Sequence, residues 1–401
     1  MQPTFPLSLV NLLGDPVRKA VLRFDADGMM KLAERLTGLD DFADTDGRFR
    51  ERLEETVDSA NRVDWNTVGR FGVRYILNWH LGNRLRIVEL LKQRPELEQI
   101  DIERPLVITG LFRTGTTYLH NVLGADPASR AGRLWEFTHP VGRKRDLFGD
   151  AKWRRWRGSH VVAMDDMMVP DQAEAHKVTV DAFEEDFFLL ENDMAHMKFF
   201  IGLGDYEYGR STLDCDMVGP YRWHKRQLQI LWAQRSAERW LLKCPWHLWH
   251  LRALLTVYPD ARVVQTHRNL VDAVGSQCSL SARLASKFQR SLDLHDVGDF
   301  WLEYSRAGVE RGLEARAGCP QSQFYDVRLA DLRSNPIGVV EDIYRHFDLP
   351  FDERLAGRFS ERIAEDPTAQ LGEHDYDIGD YGLSEERILA EFVDYRQRFG
   401  V

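Results

Sequence analysis

Apolar residues recur at helical spacing, with charges between them, through most of the first hundred positions. "MMKLAERL", "RFRERLEETVDSANRV" and "VGRFGVRYILNWHLGNRLRIVELLKQR" all show the pattern, which predicts amphipathic helices. Residues 27–98 therefore read as helical, within a helical N-terminal extension over 1–100. Near 101 the texture changes. Leu106, Val107 and Ile108 form a continuous apolar run ending in Thr109 and Gly110, as expected of a strand buried on both faces of a parallel sheet. "TTYLHNVLGADP" follows, with Leu119, Val122 and Leu123 on one helical face and a stop at Gly124 and Pro127.

The same alternation returns downstream. "RWLLK" reads as a strand, "WHLWHLRALLTVY" as a helix ended by Tyr258-Pro259-Asp260, "ARVVQTH" as a strand, and "NLVDAVGSQC" as the start of a helix. "QFYDV" is a further strand, and Asn335-Pro336 caps the helix "IGVVEDIYRHF". Strand–helix alternation predicts a parallel sheet with right-handed crossovers. The expected architecture is α/β: a P-loop-like parallel sheet flanked by helices over 101–350, with a mostly helical stretch at 135–235. The C-terminal segment, 351–401, reads as charged and turn-rich from about 352, then helical from Ser384 to Phe399.

Composition narrows the function classes. The 401-residue chain is 43% hydrophobic and 29% charged, which supports a packed core. Its net charge of −10 argues against a nucleic-acid partner, although one local pocket can still be basic. The four cysteines are too widely spaced for a zinc ribbon or a disulfide framework, pointing to reduced thiols in a cytoplasmic protein. The N-terminal stretch lacks the basic and apolar regions of a signal peptide, and no run is long enough for a transmembrane segment.

The chemistry centres on "GLFRTGTT", Gly110 to Thr117. It lies between a strand and a helix like a P-loop, but Thr116 stands where a P-loop has its lysine. Backbone N–H groups at such a turn hold anions. Arg113 adds a charge, and Thr116 and Thr117 add hydroxyls. No apolar strand ends in an aspartate placed to hold magnesium. Downstream, Arg268 sits at a strand end and Ser276 lies eight residues further on. Such a pair can grip one phosphate.

"GLFRTGTTYLHNVL", "RWLLKCPWHL", "ARVVQTHRNLVDAVGS" and "VRLADLRSNPIGVVEDIYRHF" together resemble, in order, the nucleotide-binding segments of the sulfotransferases. The likeness is greatest to a bacterial group with an R-[ST]-G-T-T loop and an L-K-x-P-x-H-L segment. The resemblance implies transfer of a sulfuryl group from 3′-phosphoadenosine-5′-phosphosulfate (PAPS), without a metal, to a hydroxyl of a small-molecule, lipid or glycan acceptor. Residues 135–235 then form an acceptor-side insertion. Arg113, Thr114, Gly115, Thr116 and Thr117 are expected at the 5′-phosphosulfate, and Arg268 and Ser276 at the 3′-phosphate. A donor that ends in sulfate and carries no bridging magnesium accounts for the missing lysine.

The resemblance implies two candidates for the base that takes the acceptor proton. Glu136, in "RLWEFTHP", follows a predicted strand, and His247 lies beside Lys243 in "LLKCPWHL". Each has a structural alternative: an ion-paired or capping carboxylate, and a core histidine. Lys243 is expected at the transferred group. His247 and His250 lack a third ligand nearby, so no metal site is expected there. The acids of "DAFEEDFF" read as a helix N-terminus without chemistry. The tryptophans read as core or as acceptor-pocket lining. Leu329, Glu373 and Asp375 depart from the residues common in related sequences and bear on donor contacts. An ATP-dependent phosphotransferase and a noncatalytic nucleotide-binding member are the alternatives.

Overall fold

The chain is described by a computed structural model covering residues 23–168, 179–365 and 376–401. Glu373, Asp375 and most of the stretch read against a signal peptide lie outside these residues. Five parallel strands form one sheet: β1 (Leu106–Gly110), β2 (Ser129–Ala131), β3 (Arg239–Lys243), β4 (Arg262–His267) and β5 (Phe324–Arg328), in the order β2-β3-β1-β4-β5. Every residue of β1, β3 and β4 is buried, as the apolar run of β1 predicts for a strand covered on both faces.

The register decides where the chemistry falls. Ile108 of β1 pairs with Lys243 of β3, and Gly110 pairs with Thr266 of β4. The C-terminal ends of three strands are therefore level. The chain runs from β1 to one side of the sheet and returns on the other, so β1 and β4 flank a topological switch point. Ligands of open α/β sheets bind in the crevice at such a point.

The N-terminal region forms the helices Ala26–Thr37, Phe49–Arg62 and Thr67–Gln93. Their buried residues, from Phe24 to Leu85, join one apolar cluster that extends through Trp246, Trp301 and Tyr395. Trp223, Trp246, Trp249 and Trp301 are core residues, whereas Trp156 is exposed. The described residues of 135–235 are mostly helical, ending in the helix Val218–Gln234. Among the described residues no helix is long and apolar enough to cross a membrane.

Three segments differ from the expectation. "WHLWHLRALLTVY" starts as a 3-10 turn, Pro245–Leu248, before the helix Leu251–Val257. Pro245 to His250 are all buried, so no single helical face is left for solvent. The tail expected to be turn-rich contains the helix Glu353–Glu365. Its apolar stripe is only Leu355, Phe359 and Ile363, set among arginines and glutamates, and Phe359 alone is fully buried. The final helix is broken in two, Glu385–Ala390 and Val393–Phe399, and buries Phe392 and Tyr395.

Candidate active site

The loop after β1 has a backbone that only its sequence permits. Gly110 has φ +151° and Gly115 has φ +90°. A Cβ on Gly110 would lie 2.5 Å from the Thr266 carbonyl oxygen, and one on Gly115 would lie 2.6 Å from Leu329 Cδ1. Glycine is required at both positions. Leu329, the departure noted above, is a buried residue packed under this turn. Arg113 also has a left-handed backbone, φ +68°, a conformation costly for a long side chain and concentrated at functional turns.

The loop is stitched to its neighbours. The Thr114 hydroxyl donates to the Leu111 carbonyl at 2.6 Å and lies 2.6 Å from the Thr266 hydroxyl. Thr114 thus fixes the loop's shape with a side chain turned into the protein. The helix Thr116–Leu123 begins at Gly115 with no side-chain cap. Its first N–H groups and the positive end of its dipole are available to an anion.

Three arginines surround this turn. Arg113 Nε donates to Ser276 Oγ at 3.1 Å, and Arg268 donates to the Arg113 carbonyl at 3.2 Å. Arg268 also meets the half-exposed Asp272 at 3.4 Å. Burial, together with the charges of Arg268 and Arg283, pushes the Arg113 pKa below its ordinary value. Arg283 Nε is buried without a hydrogen-bond partner. Clustered guanidinium groups with so little carboxylate among them form a site for an anion.

On the other side of the loop, Lys243 is 2% exposed at its side chain and pairs with Glu185 at 2.6 Å. Its ammonium also donates to Thr117 Oγ1 at 3.2 Å. The next residue, Asp186, is fully buried and accepts at one oxygen from His224 Nε2 at 2.8 Å and His247 Nε2 at 3.0 Å. Tyr258 and Tyr221 occupy the Nδ1 atoms of these rings at 2.8 and 2.7 Å. Burial pushes both tyrosine pKa values up, so the hydroxyls stay protonated and donate. Each ring then carries a proton on Nε2, aimed at Asp186. Burial opposes ionisation of Asp186, but the two histidines outweigh it and hold its carboxyl far below the usual range.

The structure therefore brings Arg113, Thr114, Gly115, Thr116, Thr117, Lys243, Arg268 and Ser276 together around one turn, and leaves out both candidate bases. Glu136 is 4% exposed. Its carboxylate accepts from Arg130 at 2.9 Å and from the Arg133 backbone N–H at 2.9 Å, a capping box at the helix Leu134–Thr138. It borders a cleft lined by Arg133, Arg154, Arg155 and Arg235, not the loop. His247 is 0% exposed, and both its ring nitrogens are taken. The carboxylate that meets Lys243 is Glu185, in the acidic run to which the sequence assigned no chemistry. The available signal was three consecutive acids entering the apolar run "FFLL", because buried acids require partners.

Comparison with known proteins supports the geometry. The sequence model of the "Sulfotransferase family" matches residues 105–353. The crystal structure of sulfotransferase STF9 from Mycobacterium avium superposes with a TM-score of 0.81 at 29% identity, over 94% of this chain and 96% of that one. For sulfotransferase STF1 from Mycobacterium tuberculosis H37Rv the values are 0.77 and 31%, over 92% and 98% of the two chains. The omega-hydroxy-beta-dihydromenaquinone-9 sulfotransferase Stf3 of Mycobacterium bovis is 25% identical over 306 residues, covering 73% of this chain and 74% of its own length.

Proposed function

This chain belongs to the sulfotransferase family, and on that premise we propose that it transfers a sulfuryl group from PAPS to an acceptor hydroxyl by in-line displacement. The observation that carries this reading is the left-handed Arg113 held between Ser276 and Arg268, with Lys243 across the same loop. The residues fit the donor. The N–H groups at Gly115, Thr116 and Thr117, with Arg113, suit the 5′-phosphosulfate. Arg268, Ser276 and the unpartnered Arg283 Nε suit the 3′-phosphate. The donor supplies an activated sulfuryl group on a stable bisphosphate leaving group.

The protein's part is positioning and charge. Lys243 points its ammonium at the loop, where negative charge develops on the departing oxygen. Glu185 is the carboxylate at that ammonium and takes the acceptor proton in this reading. Glu136 and His247 serve structure. The His224–Asp186–His247 network fixes the chain next to Glu185 and so sets where that carboxylate lies. No metal takes part in the transfer.

The acceptor class is the less constrained half of the proposal. Stf3 is named for a menaquinone carrying a terminal hydroxyl, which favours a lipid alcohol over a glycan or a small phenol. The test is incubation with sulfur-35-labelled PAPS and a panel of lipid, phenolic and sugar alcohols. Label in an organic-extractable acceptor is expected. No transfer to any alcohol, with tight donor binding intact, would leave the noncatalytic reading.

A further inference from the structure

A second cluster lies one short helix from Glu185. The helix Phe187–Glu191 follows Asp186 directly and ends at a carboxylate facing two imidazoles. His80 Nε2 is 3.1 Å from one oxygen of Glu191, and His196 Nδ1 is 4.0 Å from the other. The rings of His80 and His196 meet edge to face at 5.2 Å. All three side chains are 0% exposed. His80 Nε2, Glu191 Oε2 and both nitrogens of His196 have no hydrogen-bond partner. The 3.1 Å approach lies outside hydrogen-bond angles. Buried polar atoms left this way are costly unless something occupies the space between them.

Hydrogen bonding around the cluster fixes which atoms face inward. Gln227 Nε2 donates to the carbonyls of Leu189 and Trp223, so its Oε1 accepts from Asn192 Nδ2 at 2.7 Å. Asn192 Oδ1 must then accept, and it does so from His80 Nδ1 at 2.8 Å and Asn83 Nδ2 at 3.1 Å. His80 Nδ1 is therefore the donor to Asn192, and Nε2 is the ring nitrogen that faces Glu191. Metal-bound histidines are held this way, with the far N–H donated to a fixed acceptor and the ligating carboxylate itself hydrogen-bonded. Here the Lys198 backbone N–H donates to Glu191 Oε1 at 3.1 Å.

We propose that His80, Glu191 and His196 form a divalent-metal site suited to zinc, which ties the long helix Thr67–Gln93 to the segment carrying Glu185. The donor atoms lie within 4.8 Å of one another. Two imidazoles and one carboxylate match zinc's ligand preference, and a carboxylate binding through both oxygens supplies a fourth donor. The Lys198 ammonium is turned over Phe188 at 3.9 Å and Trp79 at 5.0 Å. The site is separate from the anion-binding loop and takes no part in the transfer.

The test uses the full-length protein prepared without chelators. Elemental analysis should find about one zinc per chain. Cobalt(II) added to chelator-treated protein should give the intense visible bands of a four-coordinate N/O site, and zinc should raise the Tm of the stripped protein. His196→Ala should abolish the cobalt bands while adenosine 3′,5′-bisphosphate still binds, which separates loss of the site from loss of the fold. Wild-type protein with no bound metal, no cobalt bands and no Tm response to zinc overturns the proposal and leaves a His80–Glu191 charge pair.

Discussion

Replacing Glu185 with glutamine separates a proton acceptor from a counterion. The carboxylate is 18% exposed and meets the nearly buried Lys243 at 2.6 Å. Without its charge, Lys243 keeps, among the described residues, Thr117 Oγ1 at 3.2 Å as its remaining hydrogen-bond partner of full strength. Stranding one member of a fully buried pair costs about 3–5 kcal/mol. Glutamine still offers an oxygen and the site is partly open, so a loss of roughly 1–3 kcal/mol of stability is expected. If pairing were the whole role, the chemistry would survive. As the base, Glu185 contributes about 10²–10⁴-fold to the rate, or roughly 3–5 kcal/mol of barrier. Single-turnover transfer from labelled PAPS, read beside bisphosphate affinity and Tm, distinguishes the two. The expected result is a kcat drop of about 10²–10⁴-fold with little change in bisphosphate Kd. A folded variant with kcat within about threefold of wild type, a barrier change under 1 kcal/mol, refutes the assignment.

Gly115→Ala should weaken bisphosphate binding and lower Tm. A left-handed alanine costs roughly 1–2 kcal/mol, and its Cβ would fall 2.6 Å from Leu329 Cδ1; titration calorimetry and thermal melts check both. Glu136→Gln should keep near-wild-type kcat but lower Tm. It removes a charge partner of Arg130, which is 0% exposed and whose pKa burial already pushes down to about 10 despite that partner. A kcat loss without a Tm change would restore Glu136 as a base. Acid should destabilise the protein below about pH 6.5, the unfolded histidine value. Burial holds His120 and His250 neutral in the fold down to about 3. Between these values the unfolded chain binds protons that the folded chain does not, so stability rises with pH. The slope is roughly 1.4 kcal/mol per pH unit for each histidine, or roughly 3 for both. Denaturant melts from pH 7 to pH 4 measure it, and a flat profile would contradict it.

The parts legible in the sequence are those whose signal is local. β1, β3 and β4 each carry a short apolar run, at 106–108, 240–242 and 263–264, and each is buried throughout. The anion-binding turn reads from its two glycines, and Arg268 from its place at a strand end. What the local pattern does not announce is which polar groups become partners. Glu136 and His247 are chemically suited to act as bases, but Arg130 and the Asp186–Tyr221 pair occupy them. Glu185 is illegible for the converse reason: nothing beside it in sequence shows that Lys243, 58 residues away, lies 2.6 Å from it. The helix Glu353–Glu365 was hidden because one buried phenylalanine makes a faint periodic signal among charges.

The central claim is that this loop and Arg268 bind a 3′-phosphorylated nucleotide rather than a triphosphate. Titration calorimetry of wild type and Arg268→Ala against adenosine 3′,5′-bisphosphate and against ATP with magnesium tests it most directly. The account predicts that wild type prefers the bisphosphate. It also predicts that Arg268→Ala weakens that binding by about 10–100-fold, the worth of one charged hydrogen bond at roughly 1.5–3 kcal/mol. Wild-type protein that ignores the bisphosphate, or prefers ATP with magnesium, contradicts the account.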